Sequence, residues 1–233
     1  MKITEGVHKV DGTRTGHAYL IEGAERLALI DTGLARSTDA VLRAIAALGR
    51  RPEDLREIVI THCHADHMGS LAELAERTGA QVAVHAADAA VVRGDEPMPE
   101  VRAGGILGWV ASRVSGMMMG KPPTPSRVDR ELQDGDELEV GDLKVVHTPG
   151  HTPGHIALHM ASKRVLFVGD AVFNLPALGL RPPMAMVSVD TAQAKESIRK
   201  LAGLECDIVC FGHGRALTRE AAARLRRFAE GLR

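Results

Sequence analysis

The chain of 233 residues has little of several things that would each have pointed somewhere. It has three cysteines, Cys63, Cys206 and Cys210. An odd number cannot all pair with one another, and their spacing fits no zinc ribbon, so they read as buried reduced thiols. Lysine plus arginine number 29 and aspartate plus glutamate 30, with no long run of either sign. A partner held by bulk charge, nucleic acid above all, is therefore not expected. No uninterrupted apolar run approaches the roughly 20 residues that a membrane span needs. The opening "MKITEGVHKVDGTRTG" has neither an apolar core nor a small-residue cleavage site. The expectation is a cytoplasmic protein without membrane contact. There is no G-x-S-x-G, so no serine nucleophile announces itself.

What is present suits a sizeable core: hydrophobic residues make up 45%. "GVHKV", "HAYLIE" and "RLALIDTG" are short β-rich runs. "STDAVLRAIAALG" places Val41, Ile45 and Leu48 on one face, with Ser37 as N-cap and Gly49 at the end, and predicts an amphipathic helix. "EIVIT" reads as a buried strand, "MGSLAELAERTG" as a helix ending at Gly79, and "AQVAVH" as a strand. Further on, "DELEV" and "DLKVVHT" predict a hairpin, followed by strands in "HIALHM" and "RVLFVG". A helix in "TAQAKESIRKLAGL", a strand in "DIVCF" and a helix in "EAAARLRRFAEGL" close the chain. Both halves mix strands and helices, which predicts two α/β units packed sheet to sheet in one domain over residues 1–233. Residues 93–130, rich in Pro, Gly and Met, interrupt the pattern. Ile106, Val110, Val114 and Met117 fall there at helical spacing beside Trp109, predicting an inserted, lid-like helix.

Chemistry concentrates in "ITHCHADHMG", where His62, His64, Asp66 and His67 crowd into six residues. They leave the end of a strand, where alternate side chains of an extended chain share a side. His62 and His64 can then face one ion, and Asp66 and His67 another. In a helix the first two would point roughly 200° apart. Three more strand ends carry donors: "VVHTPGH" presents His151, "LFVGD" presents Asp170, and "CFGHG" presents His213. The carboxyl ends of strands are where open α/β sheets gather their sites. The N/O donor set suits zinc first, and also iron or manganese. His8, His17 and His85 read as surface or hydrogen-bonded histidines. Within the repeat "HTPGHTPGH", local chemistry does not separate His151 from His155.

In their order, "LIDTG", "HCHADH", "TPGHT", "GDAVF" and "FGHG" resemble the metallo-β-lactamase-fold hydrolase superfamily, in its glyoxalase II-like or lactonase-like branch. The resemblance covers almost the whole chain. It implies an αββα four-layer sandwich, an α/β fold whose two mixed sheets hold two divalent metals between them. It assigns His62, His64 and His151 to the first metal, and Asp66, His67 and His213 to the second, with Asp170 bridging. It prefers His151 to His155, and it makes Asp31 the carboxylate that orients a histidine ligand. The implied chemistry is attack by a metal-bridging hydroxide, with Asp66 relaying a proton.

The resemblance says less about the bond cleaved. Zinc β-lactamases with this histidine motif generally lack the bridging aspartate and are exported. Glyoxalase II adds a glutathione-binding helical domain, whereas only 20 residues follow His213 here. Lactonases often place a tyrosine three residues beyond the bridging aspartate, where this chain has Phe173. What the sequence offers is apolar surface: Trp109, Met117, Met118 and Met119 in the insert, and "NLPALGLRPPMAMVS" after Asp170. These, with Phe173, are the candidate substrate walls, and the same surface would equally suit a homodimer face. The expected substrate is a small carboxylic ester, lactone or thioester with an apolar acyl part. A mononuclear iron oxidoreductase resembling persulfide dioxygenases is the alternative on the same ligands.

Overall fold

The computed structural model describes residues 1–99 and 123–232. Trp109, Met117, Met118 and the helix expected around them lie outside the described residues.

Strand β4 (Leu27–Ile30) shows why the chain forms layers. Leu27 and Leu29 pack into one apolar cluster, and Ala28 and Ile30 into another, as strand alternation dictates. The same division runs through β3 (Tyr19–Glu22), β5 (Leu55–Ile60) and β6 (Gln81–His85). There Leu20, Ile58, Ile60, Val82 and Val84 join the first cluster, while Tyr19, Ile21, Val59 and Ala83 join the second. With β1 (Lys2–Thr4), β2 (Val7–Lys9) and β7 (Arg130–Leu132) these strands form a seven-stranded sheet in sequence order. It is antiparallel from β1 to β4 and parallel from β4 to β7.

A sheet apolar on both faces needs cover on both. Helices α1 (Thr38–Ala47), α3 (Leu71–Thr78) and α4 (Ala86–Arg93) cover one face with Val41, Ile45, Leu71, Leu74 and Val92, and the short α2 (Ala65–Met68) adds Met68. A second sheet covers the other face. Its strands are β8 (Leu143–His147), β9 (Ile156–Met160), β10 (Val165–Phe167) and β13 (Ile208–Cys210), ordered β13-β10-β9-β8. Its outward side chains, Val146, Leu166 and Val209 among them, pack on α5 (Thr191–Ala202) and α6 (Ala221–Glu230). The result is the αββα sandwich expected.

Several segments depart from the sequence reading. "DELEV" forms no strand, and only Glu137 bridges to Lys144. Leu138 and Val140 are drawn into the core between the sheets, and the Val140 N–H donates to Glu57 Oε1 at 2.9 Å instead of to a neighbouring strand. The helix expected from Met68 is broken in two at Gly69 and Ser70. There Gly69 N–H donates to Gly33 O at 3.0 Å and Ser70 Oγ donates to Leu34 O at 2.9 Å, joining the turn to the loop after β4. A Cβ on Gly69 would run into the backbone of Ala35 and Ala65. The stretch after Asp170 contains a small hairpin, β11 (Phe173–Leu175) with β12 (Gly179–Arg181), and β1, α4 and β7 also went unanticipated. Among the described residues no helix is long and apolar enough to cross a membrane.

Candidate metal centre

The ends of parallel strands from both sheets meet at one place. Beyond β5 the chain bends over residues 61–63, is extended at His64 (ψ 149°), and then α2 begins and turns Asp66 and His67 inward. Beyond β10 and β13 come Gly169-Asp170 and Gly212-His213, and the turn after β8 brings His151. Gly212 is required here, because a Cβ would strike Asp170 Oδ1.

All seven residues read from the motifs come together. Ligand-capable atoms of His62, His64 and His151 lie within 4.8 Å of one another, as do those of Asp66, His67 and His213. Those of His62, His67 and Asp170 form a third such group, so Asp170 stands between the two sets. Its Oδ1 is 3.4 Å from His67 Nε2, and its Oδ2 is 3.6 Å from His151 Nε2 and 3.3 Å from His213 Nε2. Asp66 Oδ2 is 3.2 Å from His213 Nε2.

Neighbouring groups hold these rings by the other nitrogen. Asp31 Oδ2 accepts from His67 Nδ1 at 2.8 Å, and its carboxylate also accepts the Thr61 N–H and hydroxyl. With that hydroxyl donated to Asp31, Thr61 Oγ1 accepts from His62 Nδ1 at 3.1 Å. Ser188 Oγ donates to Met184 O and so accepts from His151 Nδ1 at 3.2 Å. Each ring therefore turns Nε2 toward the centre. There His62 Nε2, His67 Nε2, His151 Nε2 and Asp170 Oδ1 are buried without a hydrogen-bond partner. Native interiors rarely leave such atoms unpaired, and convergent ones fit a divalent cation.

At the three-histidine face and at Asp170, protonation agrees with that use. Burial, reinforced by neighbouring histidines, lowers His62 and His151 well below the ordinary imidazole value, and burial lowers His64. Burial would raise the Asp170 carboxyl, but the facing His67 and His213 outweigh it and hold it well below the usual carboxylate range. Burial would likewise lower His213, yet the carboxylates of Asp170 and Asp66 raise it to about 9. Neutral imidazoles and ionised carboxylates are the forms that bind metal, so His62, His64, His151 and Asp170 stand ready. Burial would lower His67 too, but Asp170 and Asp31 raise it well above the ordinary value, so His67 and His213 carry protons that a metal must displace.

His155 stands just outside. Its Nδ1 meets Thr148 Oγ1 at 2.8 Å and its Nε2 accepts the Asp170 N–H at 3.0 Å, with burial lowering its pKa to about 3. It positions Asp170 and, with both nitrogens engaged, leaves the ligand place to His151. Phe173 packs edge-on against His213 with ring centroids 5.3 Å apart, so the proposed pocket residue does adjoin the centre. Thr61 and Ser188, which hold these rings, and Asp88, a buried carboxylate that accepts from Cys63 N–H and Thr152 Oγ1, were missed. Thr61 adjoins His62, a signal that could have been used, whereas nothing local marks the other two.

An αββα sandwich whose sheets bring histidine and aspartate donors together has the build of a metallo-hydrolase. The chain belongs to the metallo-beta-lactamase superfamily, whose family model matches residues 11–213. It is 31% identical over 227 residues to the probable metallo-hydrolase YflN of Bacillus subtilis (strain 168), covering 92% of this chain and 86% of that one. It is 35% identical over 175 residues to the acyl-coenzyme A thioesterase MBLAC2 of Gallus gallus, covering 67% of this chain and 57% of the relative. A hydroxyacylglutathione hydrolase of Cereibacter sphaeroides (strain ATCC 17025 / ATH 2.4.3) is 33% identical over 172 residues, with 72% and 52% covered. The chain thus spans little more than half the length of these last two. A metallo-beta-lactamase family protein from Thermus thermophilus superposes with a TM-score of 0.73 at 25% identity, over 98% of this chain and 81% of that one.

Proposed function

We propose that this protein is a binuclear metal-dependent hydrolase of a small carboxylic ester, lactone or thioester with an apolar acyl part. The observation that carries the reading is the set of buried, unpartnered donor atoms converging at the meeting of the sheets. His62, His64 and His151 would hold one ion and Asp66, His67 and His213 the other, with an Asp170 oxygen available to each. Zinc suits these donors, and iron or manganese share them. Metal bound there supplies an acidified water and polarises a carbonyl oxygen.

The remaining work falls to the chain's own groups. Asp31, Thr61 and Ser188 fix the rings, so the donor atoms need not reorganise when charge develops. Asp66, with 24% of its side chain exposed, is the carboxylate placed to pass a proton between the centre and solvent. No cysteine competes for the role of nucleophile, since burial pushes the Cys63 thiol well above its ordinary value.

Support for an apolar acyl group comes from the segment between Phe173 and Ser188. One end is tied to His213, whose carbonyl accepts the Asn174 N–H at 3.2 Å. The other is tied to His151 through Ser188. Between them Leu178, Met184 and Met186 are exposed, an apolar edge fixed at both ends to the centre. The acyl-coenzyme A thioesterase among the relatives supports trying thioesters first.

The test is elemental analysis of protein prepared without chelator, followed by an ester, lactone and thioester panel graded in acyl length. Two equivalents of metal and chelator-sensitive hydrolysis are expected. A single redox-active iron per chain with no hydrolysis would favour the oxidoreductase.

A further inference from the structure

Asp88 lies in the first turn of α4 and is fully buried, 0% exposed. An ionised carboxylate taken out of water must be repaid in hydrogen bonds. Three donors meet it: Cys63 N–H at 3.0 Å and Thr152 Oγ1 at 2.7 Å on Oδ2, and Gly154 N–H at 2.6 Å on Oδ1. Where they sit in the chain is what matters. Cys63 lies between His62 and His64, and Thr152 directly follows His151. One carboxylate therefore grips the loop that leaves β5 of the first sheet and the loop that leaves β8 of the second. Gly154 lets the second loop approach this closely, since a Cβ there would lie 2.6 Å from the Asp88 carboxyl carbon.

We propose that Asp88 is the positioning residue that sets the spacing of the three-histidine face formed by His62, His64 and His151. It acts through backbone and hydroxyl, because its partners are the neighbours of the histidines and not the rings. A backbone rotation at Cys63 would swing His62 and His64 together, and a shift of Thr152 would carry His151 with it. Holding both loops to one rigid group on α4 keeps three rings from two sheets in register before metal arrives. Cys63 and Thr152 owe their place in the motif to this anchor: one gives its amide, the other its hydroxyl. The proposal rests on the reading of those three histidines as metal ligands.

Asp88→Asn keeps the shape but turns one oxygen into a donor facing donors. Thr152→Val removes a single bond and leaves the carboxylate in place. The experiment is competition for zinc between a chromophoric chelator and the metal-free protein, with the melting temperature of each metal-free variant measured alongside. Wild-type protein should release zinc in two steps, one of which His64→Ala abolishes. Asp88→Asn should weaken that step by about 10–100-fold, the range typical of groups that support ligands. Thr152→Val should weaken the same step by less, and the other step should stay in place in both variants. Unchanged steps in both variants would overturn the proposal. So would a parallel weakening of both steps that tracks a lower melting temperature, since that is general loss of packing. Should Asp88→Asn not fold, Thr152→Val decides alone. If no wild-type step responds to His64→Ala, the metal reading of the face fails, and the role of Asp88 with it.

Discussion

Asp170 and Cys63 both sit at the centre, and their chemistry predicts opposite consequences of replacement. Asp170 faces His67, His151 and His213 as an anion, and no neutral amide can offer an oxygen to both ligand sets with equal charge. Asp170→Asn should lose at least one metal equivalent and several thousandfold in kcat, about 5 kcal/mol of barrier. Cys63 packs its thiol with the apolar core under the helices, where it also meets the Asp88 carboxylate, and donates its amide to that same carboxylate rather than to the metal donors. Cys63→Ala should cost about 1 kcal/mol of stability and little turnover. Equal loss of metal in the two variants would refute this division of roles. His17 gives a pH prediction. Burial, with Lys9 beside it, lowers His17 to about 4 from the ordinary 6.5, and it contacts Phe211 O through Nδ1. The unfolded chain takes up that proton near 6.5 and the folded chain near 4, so this contribution is complete above about 6.5 and lost as pH falls toward 4. Denaturation curves at pH 7, 6 and 5 should fall less steeply for His17→Gln, by at most about 1.4 kcal/mol per pH unit and less for the ring's exposed edge. Identical slopes would remove His17 from the acid response. At this scale the seven candidate ligands were legible because each lies in a short motif at a strand end. Ser188 and Asp88 were not, because their meaning lies in partners 25 to 66 residues away.

Among the elements, those with one dominant period were readable and those shaped by tertiary demands were not. Helix α1 and strands β4 to β6 declare themselves through regular burial. Even so, Ser37, the expected cap of α1, makes no side-chain capping bond, and its N–H instead donates to Ser70 Oγ at 2.9 Å. The break between α2 and α3 follows the same logic, since close approach to the loop after β4 outweighs helical continuity. Hairpin β11–β12 hid behind proline and glycine because its strands are three residues each, its turn uses Ala177 at φ 62°, and β12 opens on Gly179 at φ 69°. The turn that follows it carries a prediction. Ala185–Val187 is a single helical turn with Met184 and Met186 exposed by 53% and 41%. It is anchored to the centre just beyond its end, by Ser188 Oγ on His151 Nδ1 and by the Val189 N–H, which donates to His151 O at 3.2 Å. Met184→Ser and Met186→Ser should therefore leave metal content intact and raise KM for long acyl substrates several-fold more than for short ones. A KM change independent of acyl length would remove this turn from substrate recognition.

Considered as a whole molecule, the candidate metal centre lies where two sheets packed through an apolar core meet. His62, His64, Asp66 and His67 follow β5 of the first sheet, while His151, Asp170 and His213 follow β8, β10 and β13 of the second. Other fastenings cross the same seam: Ile156 N–H donates to Thr61 O at 2.8 Å, and the Tyr19 hydroxyl donates to Phe211 O at 2.7 Å. Below them Ile21, Ile30, Val59, Leu158 and Phe167 fill the space between the sheets. That core and those bonds do not depend on an ion, so removing metal should leave the sandwich folded at room temperature. What metal binding adds follows from linkage: one site at 100 times its dissociation constant stabilises the folded state by about 2.7 kcal/mol. For a chain of this size that corresponds to roughly 5–10 °C in melting temperature, provided the unfolded chain binds little. Exhaustive chelation should lower Tm by at least this much with an unchanged far-ultraviolet circular dichroism spectrum at about 25 °C, and added zinc should restore it. The His64→Ala,His213→Ala double variant, lacking a donor from each set, should melt near the chelated wild type and respond little to zinc. A wild-type Tm indifferent to chelator would mean that no ion spans the seam, and the bridging place given to Asp170 would fall with it.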